Sequence, residues 1–139
     1  MKRVININSR YLVAILLILV FITGCNNNTD SNDSITSIRL ECSKTNNDEL
    51  CESKYLDDSQ SIKIFEEAIN NAMKMEGILN YVAEYSLTIT NSNNTTKNYH
   101  LSLGSDRLMN GLLVDQSNSS QGYEIPMKYA NQLRDVLKK

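Results

Sequence analysis

Few residues in this 139-residue chain have the chemistry to do work. The only imidazole is His100, and Ser102 lies two positions on. On a strand these two side chains share a face. A serine nucleophile also needs its base held by a third group, usually on a sharp turn such as Gly-x-Ser-x-Gly, and that turn is absent. Adjacent carboxylates include Asp57 with Asp58 and Glu66 with Glu67. The first pair reads as a helix start and the second as two points on an exposed helical arc. Glu84 and Asp115 are a more distant pair that could meet only across a sheet. The five glycines form no phosphate-binding loop or dinucleotide fingerprint. Tyr85, Tyr99 and Tyr123 each fall in an apolar run, as core-edge residues or as an aromatic binding patch. Three thiols remain, on Cys25, Cys42 and Cys51. No Cys-x-x-Cys spacing joins them, so a zinc site is not expected.

The surroundings of Cys25 are the most specific feature. Lys2, Arg3 and Arg10 precede an uncharged run, Tyr11 to Thr23, made mostly of Leu, Ile and Val. That run is short for a membrane span and ends in a small residue, as a secretory signal does. Ile22-Thr23-Gly24-Cys25 resembles the lipobox of bacterial lipoproteins, in which the Cys thiol takes a lipid and the chain is cut just before it. The resemblance implies a signal peptide over residues 1–24 and a lipid on Cys25. It also implies a location on the outer face of the cell membrane. Residues 26–34 carry no apolar side chain, so residues 25–34 are expected to be a flexible tether. Asp30 and Asp33 lack the Gly and distal Glu of a calcium loop.

Outside the cytoplasm the two remaining cysteines, Cys42 and Cys51, are candidates for a disulfide. Two free thiols are the alternative reading. Lys2, Arg3 and Arg10 account for three of the 14 basic residues, which leaves 11 against 16 acidic ones. A mildly acidic chain without a basic cluster argues against nucleic acid and against electrostatic binding to anionic lipid. Contact with the membrane is then expected through the lipid alone.

The rest must build one domain, residues 35–139. Ile38, Leu40 and Cys42 alternate with Ser37, Arg39 and Glu41, which predicts a strand over 35–43. Residues 44–50 read as a loop. Asp57 then predicts a helix cap, with Gln60 three residues on. Ile62, Phe65, Ile69 and Met73 form the apolar stripe of that helix, and Gly77 is placed to end it. Tyr85, Leu87 and Ile89 pair with Tyr99, Leu101 and Leu103 in a predicted hairpin, joined by the polar run Asn91 to Asn98. Residues 108–115 and Tyr123-Glu124-Ile125 predict two further strands. Pro126 opens a last helix with Tyr129, Leu133, Val136 and Leu137 on its apolar face. The expected fold class is α+β: an antiparallel sheet of four to five strands with two helices packed on one face.

Several of these stretches carry a family likeness. They are Ser61 to Ile69, Tyr85 to Ile89, Tyr99 to Leu103, and Gly111 to Asp115 before Tyr123. Through them residues 58–139 resemble the YhfM-like group of small lipoproteins from Bacillus-type firmicutes. That resemblance implies a single α+β domain on a lipid anchor and carries over no catalytic residue. The expectation is a non-catalytic surface lipoprotein with no cofactor and no metal, whose partner is an envelope protein, a peptide or a cell-wall component. The alternative is an accessory or sensory module of a membrane transporter or signalling protein. The sequence leaves the oligomeric state open.

Overall fold

A computed structural model describes residues 34–43, 51–77 and 79–138. The expected signal peptide, Cys25, nearly all of the tether and the loop 44–50 lie outside the described residues. The described elements are β1 (Ile35–Cys42), β2 (Lys54–Leu56), α1 (Ser59–Asn70), β3 (Met73–Lys74), β4 (Tyr85–Asn91), β5 (Thr96–Ser102), β6 (Gly111–Asp115), a 3₁₀ turn (Gln116–Asn118), β7 (Gly122–Ile125) and α2 (Met127–Lys138).

The seven strands form one antiparallel sheet in the order β2-β1-β4-β5-β6-β7-β3. The α+β class and the antiparallel sheet follow the sequence. The count exceeds the expected four to five because two short strands, of three and two residues, close the edges. Neither is long enough to show a period-2 pattern. Each edge strand carries a lysine, Lys54 or Lys74. Short, charged edges offer little template for pairing with another chain.

The register explains the core. Leu40 lies opposite Leu87, and Leu87 opposite Tyr99. Leu101 lies opposite both Tyr85 and Leu113. Ile38, Ile89, Tyr123 and Ile125 share that face. Both helices cover it: Phe65 and Ala68 of α1 and Ala130, Leu133 and Val136 of α2 join the same buried cluster. Small residues set the distance of approach. A Cβ on Gly111 would lie 2.9 Å from Leu103 Cδ2 and 3.4 Å from the Cβ of Ala130, so α2 meets β6 where neither chain carries bulk.

Three expectations need correction. The cap of α1 is Asp58, not Asp57, because Asp58 Oδ1 accepts the Ser61 N–H at 2.9 Å. Hydrogen bonding from the Ser61 side chain and N–H holds the Asp58 carboxyl below its ordinary pKa. The helix also stops earlier than the stripe suggests. Asn71 closes it, giving both its N–H and its side-chain amide to the carbonyl of Glu67. Met73 pairs instead with Glu124 as an edge strand and is 54% exposed. Gly77, expected at the helix end, lies seven residues beyond Asn70. It takes φ +101°, a left-handed conformation that glycine tolerates without a Cβ clash. Finally, the β4–β5 hairpin extends into the polar run, since Thr96, Lys97 and Asn98 pair with β4. The turn is correspondingly tight, with Asn94 at φ 62°.

Cys42 and Cys51 are joined by a disulfide, with Cα atoms 5.7 Å apart. It ties the end of β1 to the segment that leads into β2, and Cys51 Sγ sits 3.4 Å from the carbonyl oxygen of Glu84.

Phe65 is 1% exposed at the centre of the cluster. Phe65→Ala is expected to cost about 3–5 kcal/mol in a denaturant melt, through lost burial and the cavity left behind. Reducing the disulfide should lower stability by roughly 2–3 kcal/mol, as expected for a short closed loop. A melt unchanged by reductant, with both thiols then labelled, would show that packing alone holds this corner.

Candidate functional site: a clamped loop beside a strap

The residues with catalytic potential are placed apart or engaged elsewhere. His100 and Ser102 share the sheet face away from the helices, as their spacing predicts. They do not address each other. The Tyr81 hydroxyl lies 2.9 Å from His100 Nδ1, and Ser102 Oγ donates to the carbonyl of Val82 at 2.8 Å. Glu84 and Asp115 are not brought together. Asp115 turns to the N–H and hydroxyl of Ser117, which lower its pKa. Tyr85, Tyr99 and Tyr123 pack against the core, and burial raises the pKa of Tyr85 and Tyr99. They are core-edge residues rather than an open aromatic patch. Among the described residues no group of three or more His, Cys, Asp or Glu is placed to hold a metal ion. No helix among them is long and apolar enough to cross a membrane.

The second face of the sheet is partly covered. After β3 the chain does not turn straight back. Residues 75–77 and 79–84 form a strap that runs from β7 to β5 before β4 begins. The Met75 N–H donates to the Gly122 carbonyl, and the Gln121 side-chain amide donates to the Met75 carbonyl. Leu79 lies over Gly122, where a Cβ would come within 2.8 Å of its methyl group. Val114, on the same face, is fully buried, and Leu112 is half-buried. His100 is therefore half-buried beneath Tyr81 rather than solvated. Beyond the strap, on β1 and β4, this face is polar, with Arg39, Glu41, Ser86, Thr88 and Thr90.

The loop between β5 and β6, residues 103–110, is held from both sides. The Glu84 carboxylate accepts the N–H of Leu103 at 2.9 Å and of Gly104 at 2.7 Å. From α2, Arg134 donates to the carbonyls of Leu103, of Gly104 at 3.0 Å and of Met109 at 3.0 Å, and to Asn131 Oδ1 at 2.6 Å. The Leu103–Gly104 peptide plane thus bridges the two charges, its N–H facing the carboxylate and its C=O the guanidinium. Arg134 is only 4% exposed. Burial and the nearby Arg107 charge lower its pKa, and Glu84 and Asp106 oppose that shift. Farther out, Asn131 donates to the Arg107 carbonyl at 2.9 Å, and Arg107 makes a two-pronged contact with Asp135 at 2.6 and 3.2 Å. Asp106 Oδ1 takes the Leu108 N–H at 2.8 Å.

This anchoring ends in an exposed apolar tip. Leu108 is 81% exposed and Met109 59%. Between the tip and the strap lies a groove of about 560 Å³, lined by Met75, Leu108, Met109, Leu112, Asp106 and Glu124 among others. Residues 108–110 were expected to be strand, because Leu108 and Met109 are apolar. They are loop, because Arg134 takes the carbonyl that Met109 would offer to a neighbouring strand. Sequence reasoning missed the site for a related cause. Arg134 stands between Leu133 and Asp135 in α2, and a charged side chain there carries no local sign that it turns inward.

Replacing Arg134 by Leu keeps the bulk of the side chain and removes every donor. It is expected to cost about 2–4 kcal/mol, since loop carbonyls lose their partners while only partly reaching water. Amide exchange should rise sharply over residues 103–110 and little in β1. Unchanged protection of that loop would show that Glu84 alone suffices.

No curated protein and no solved structure matches the chain. A family model does, over residues 32–139, which takes in every described element. The chain therefore belongs to the YhfM protein family.

Proposed function

We propose that this protein is a lipid-tethered binding protein of the cell envelope, carried on the outer face of the cell membrane by a lipid on Cys25. Its loop 103–110 engages a protein partner. It performs no chemistry of its own and uses no cofactor. The tether reading rests on the Ile22-Thr23-Gly24-Cys25 motif behind a charged start and an apolar run.

One observation carries the binding reading: Leu108 and Met109 are exposed on a loop whose backbone is fastened by a buried arginine and a carboxylate. Exposing two large apolar side chains is unfavourable in isolation. Fastening the loop prevents it from folding them away. A pre-ordered apolar tip loses little conformational entropy on binding, and such tips seat well in a partner's pocket.

The anchor is tested by Cys25→Ser. The variant is expected to leave the membrane fraction or to retain its leader; wild-type fractionation and size would refute the lipid. The binding surface is tested with a photo-crosslinking amino acid at position 108, activated in intact cells. A discrete adduct is expected there and not with the same group at Asn93, on the β4–β5 turn. Identical products at both positions, or none at 108, would refute the loop as a binding surface. An adduct with an integral membrane transporter or sensor would identify the protein as its accessory module.

A further inference from the structure

The groove beside the loop has a chemistry of its own. A cross-strand row forms its floor: Ser102 lies opposite Leu112, and Leu112 opposite Glu124. The strap stands on one side at Met75, and the loop on the other at Leu108 and Met109. The row spans two inter-strand gaps of about 4.8 Å, or roughly 10 Å, which matches about three residues of extended chain.

Two features describe what would fit. The first is methionine. All four described methionines lie outside the core cluster, which is built of Leu, Ile, Val, Phe, Tyr and Ala. Two of them, Met75 and Met109, line this groove. Unbranched, polarizable thioethers adapt to the shape of an apolar ligand better than branched side chains do. The second feature is charge. The residues lining the groove include two carboxylates, on Asp106 and Glu124, and no Lys or Arg. Glu124 is half-buried as a residue, and its carboxylate makes no hydrogen bond or ion pair within the described residues. An unpartnered carboxylate beside apolar walls favours a cation that arrives with apolar neighbours. The same charge disfavours an anionic lipid surface.

We propose that this groove takes an extended peptide segment with a Lys or Arg side chain between two apolar ones. The cation seats against Glu124, and the apolar side chains seat against Leu112, Met75 and the Leu108–Met109 tip. This rests on the loop's being a partner-binding surface, and it names the chemistry of the partner segment.

The test uses the full chain with ¹³C-labelled methionine methyl groups in phosphatidylcholine nanodiscs. Three capped hexapeptides are titrated: one with a central Lys among Leu and Ile, one with that Lys replaced by Glu, and one keeping Lys among Ser. The first should shift the methyls of Met75 and Met109 and leave Met127, at the start of α2, in place. The other two should bind at least about tenfold more weakly. Glu124→Gln should weaken the first peptide by about tenfold and keep the spectrum of the free protein, since no internal bond is lost. Equal affinity for the Lys and Glu peptides would overturn the proposal. So would a common shift of all four methyls, or no shift with any peptide. An adduct at position 108 in cells, together with any of those results, would overturn the peptide chemistry and leave the loop a binding surface. Failure of both experiments would remove both readings.

Discussion

The arrangement depends on one peptide plane held between opposite charges. Glu84 takes the N–H of Gly104, and Arg134 takes the carbonyl of Leu103 in the same peptide unit. A guanidinium cannot shed its proton at any ordinary pH, so burying it requires acceptors all round. Three loop carbonyls and the Asn131 side chain supply them. The geometry is one that Arg meets and Lys does not, because a planar fork reaches several fixed acceptors at once. Each charge polarises the peptide toward the other, so the two sets of hydrogen bonds strengthen together.

Glu84 extends this anchorage to the rest of the sheet. Its N–H donates to the carbonyl of Leu101, and its own carbonyl accepts the N–H of Ser43. The end of β1, the start of β4, the end of β5 and the loop therefore meet at one residue. The disulfide lies against the same carbonyl. Ordering the loop is thus coupled to closing the sheet, and α2 is drawn in through Arg134. Rigidity at an exposed loop is a cost that packing elsewhere offsets, and it gives the apolar tip a fixed position relative to the groove.

The outer face of the sheet is divided by the strap. Over β6 and β7 it is apolar and partly roofed, and over β1 and β4 it is polar and open. The division follows from the route of the strap. It must travel from the β3 edge to the middle of the sheet, and the helices already occupy the other face. The crossing buries Val114 and leaves a channel between strap and loop. The groove is in this sense a by-product of topology, lined by residues whose types suit an apolar and cationic ligand.

Much of the framework was legible in the residues themselves. The alternation in Ile38 to Cys42, Tyr85 to Ile89 and Tyr99 to Leu103 determined which face of each strand is buried, because a period of two admits no other choice. The stripe Ile62, Phe65 and Ile69 and that of Leu133 and Val136 determined the inward faces of the helices. Setting Cys25 aside as the expected lipid site left Cys42 and Cys51 as the candidate pair, and these two are bridged. The tertiary structure decided what local pattern does not encode. It placed Met73 in an edge strand, since pairing with Glu124 competes with one more helical turn. It turned Arg134 inward, since carbonyls far off in sequence supply its acceptors. It laid the strap over His100, and it held Leu108 and Met109 out as a tip. Periodicity reports which way a side chain points from its own element. Partners brought together by long-range contacts decide whether that direction leads to solvent, to a carbonyl or to a groove.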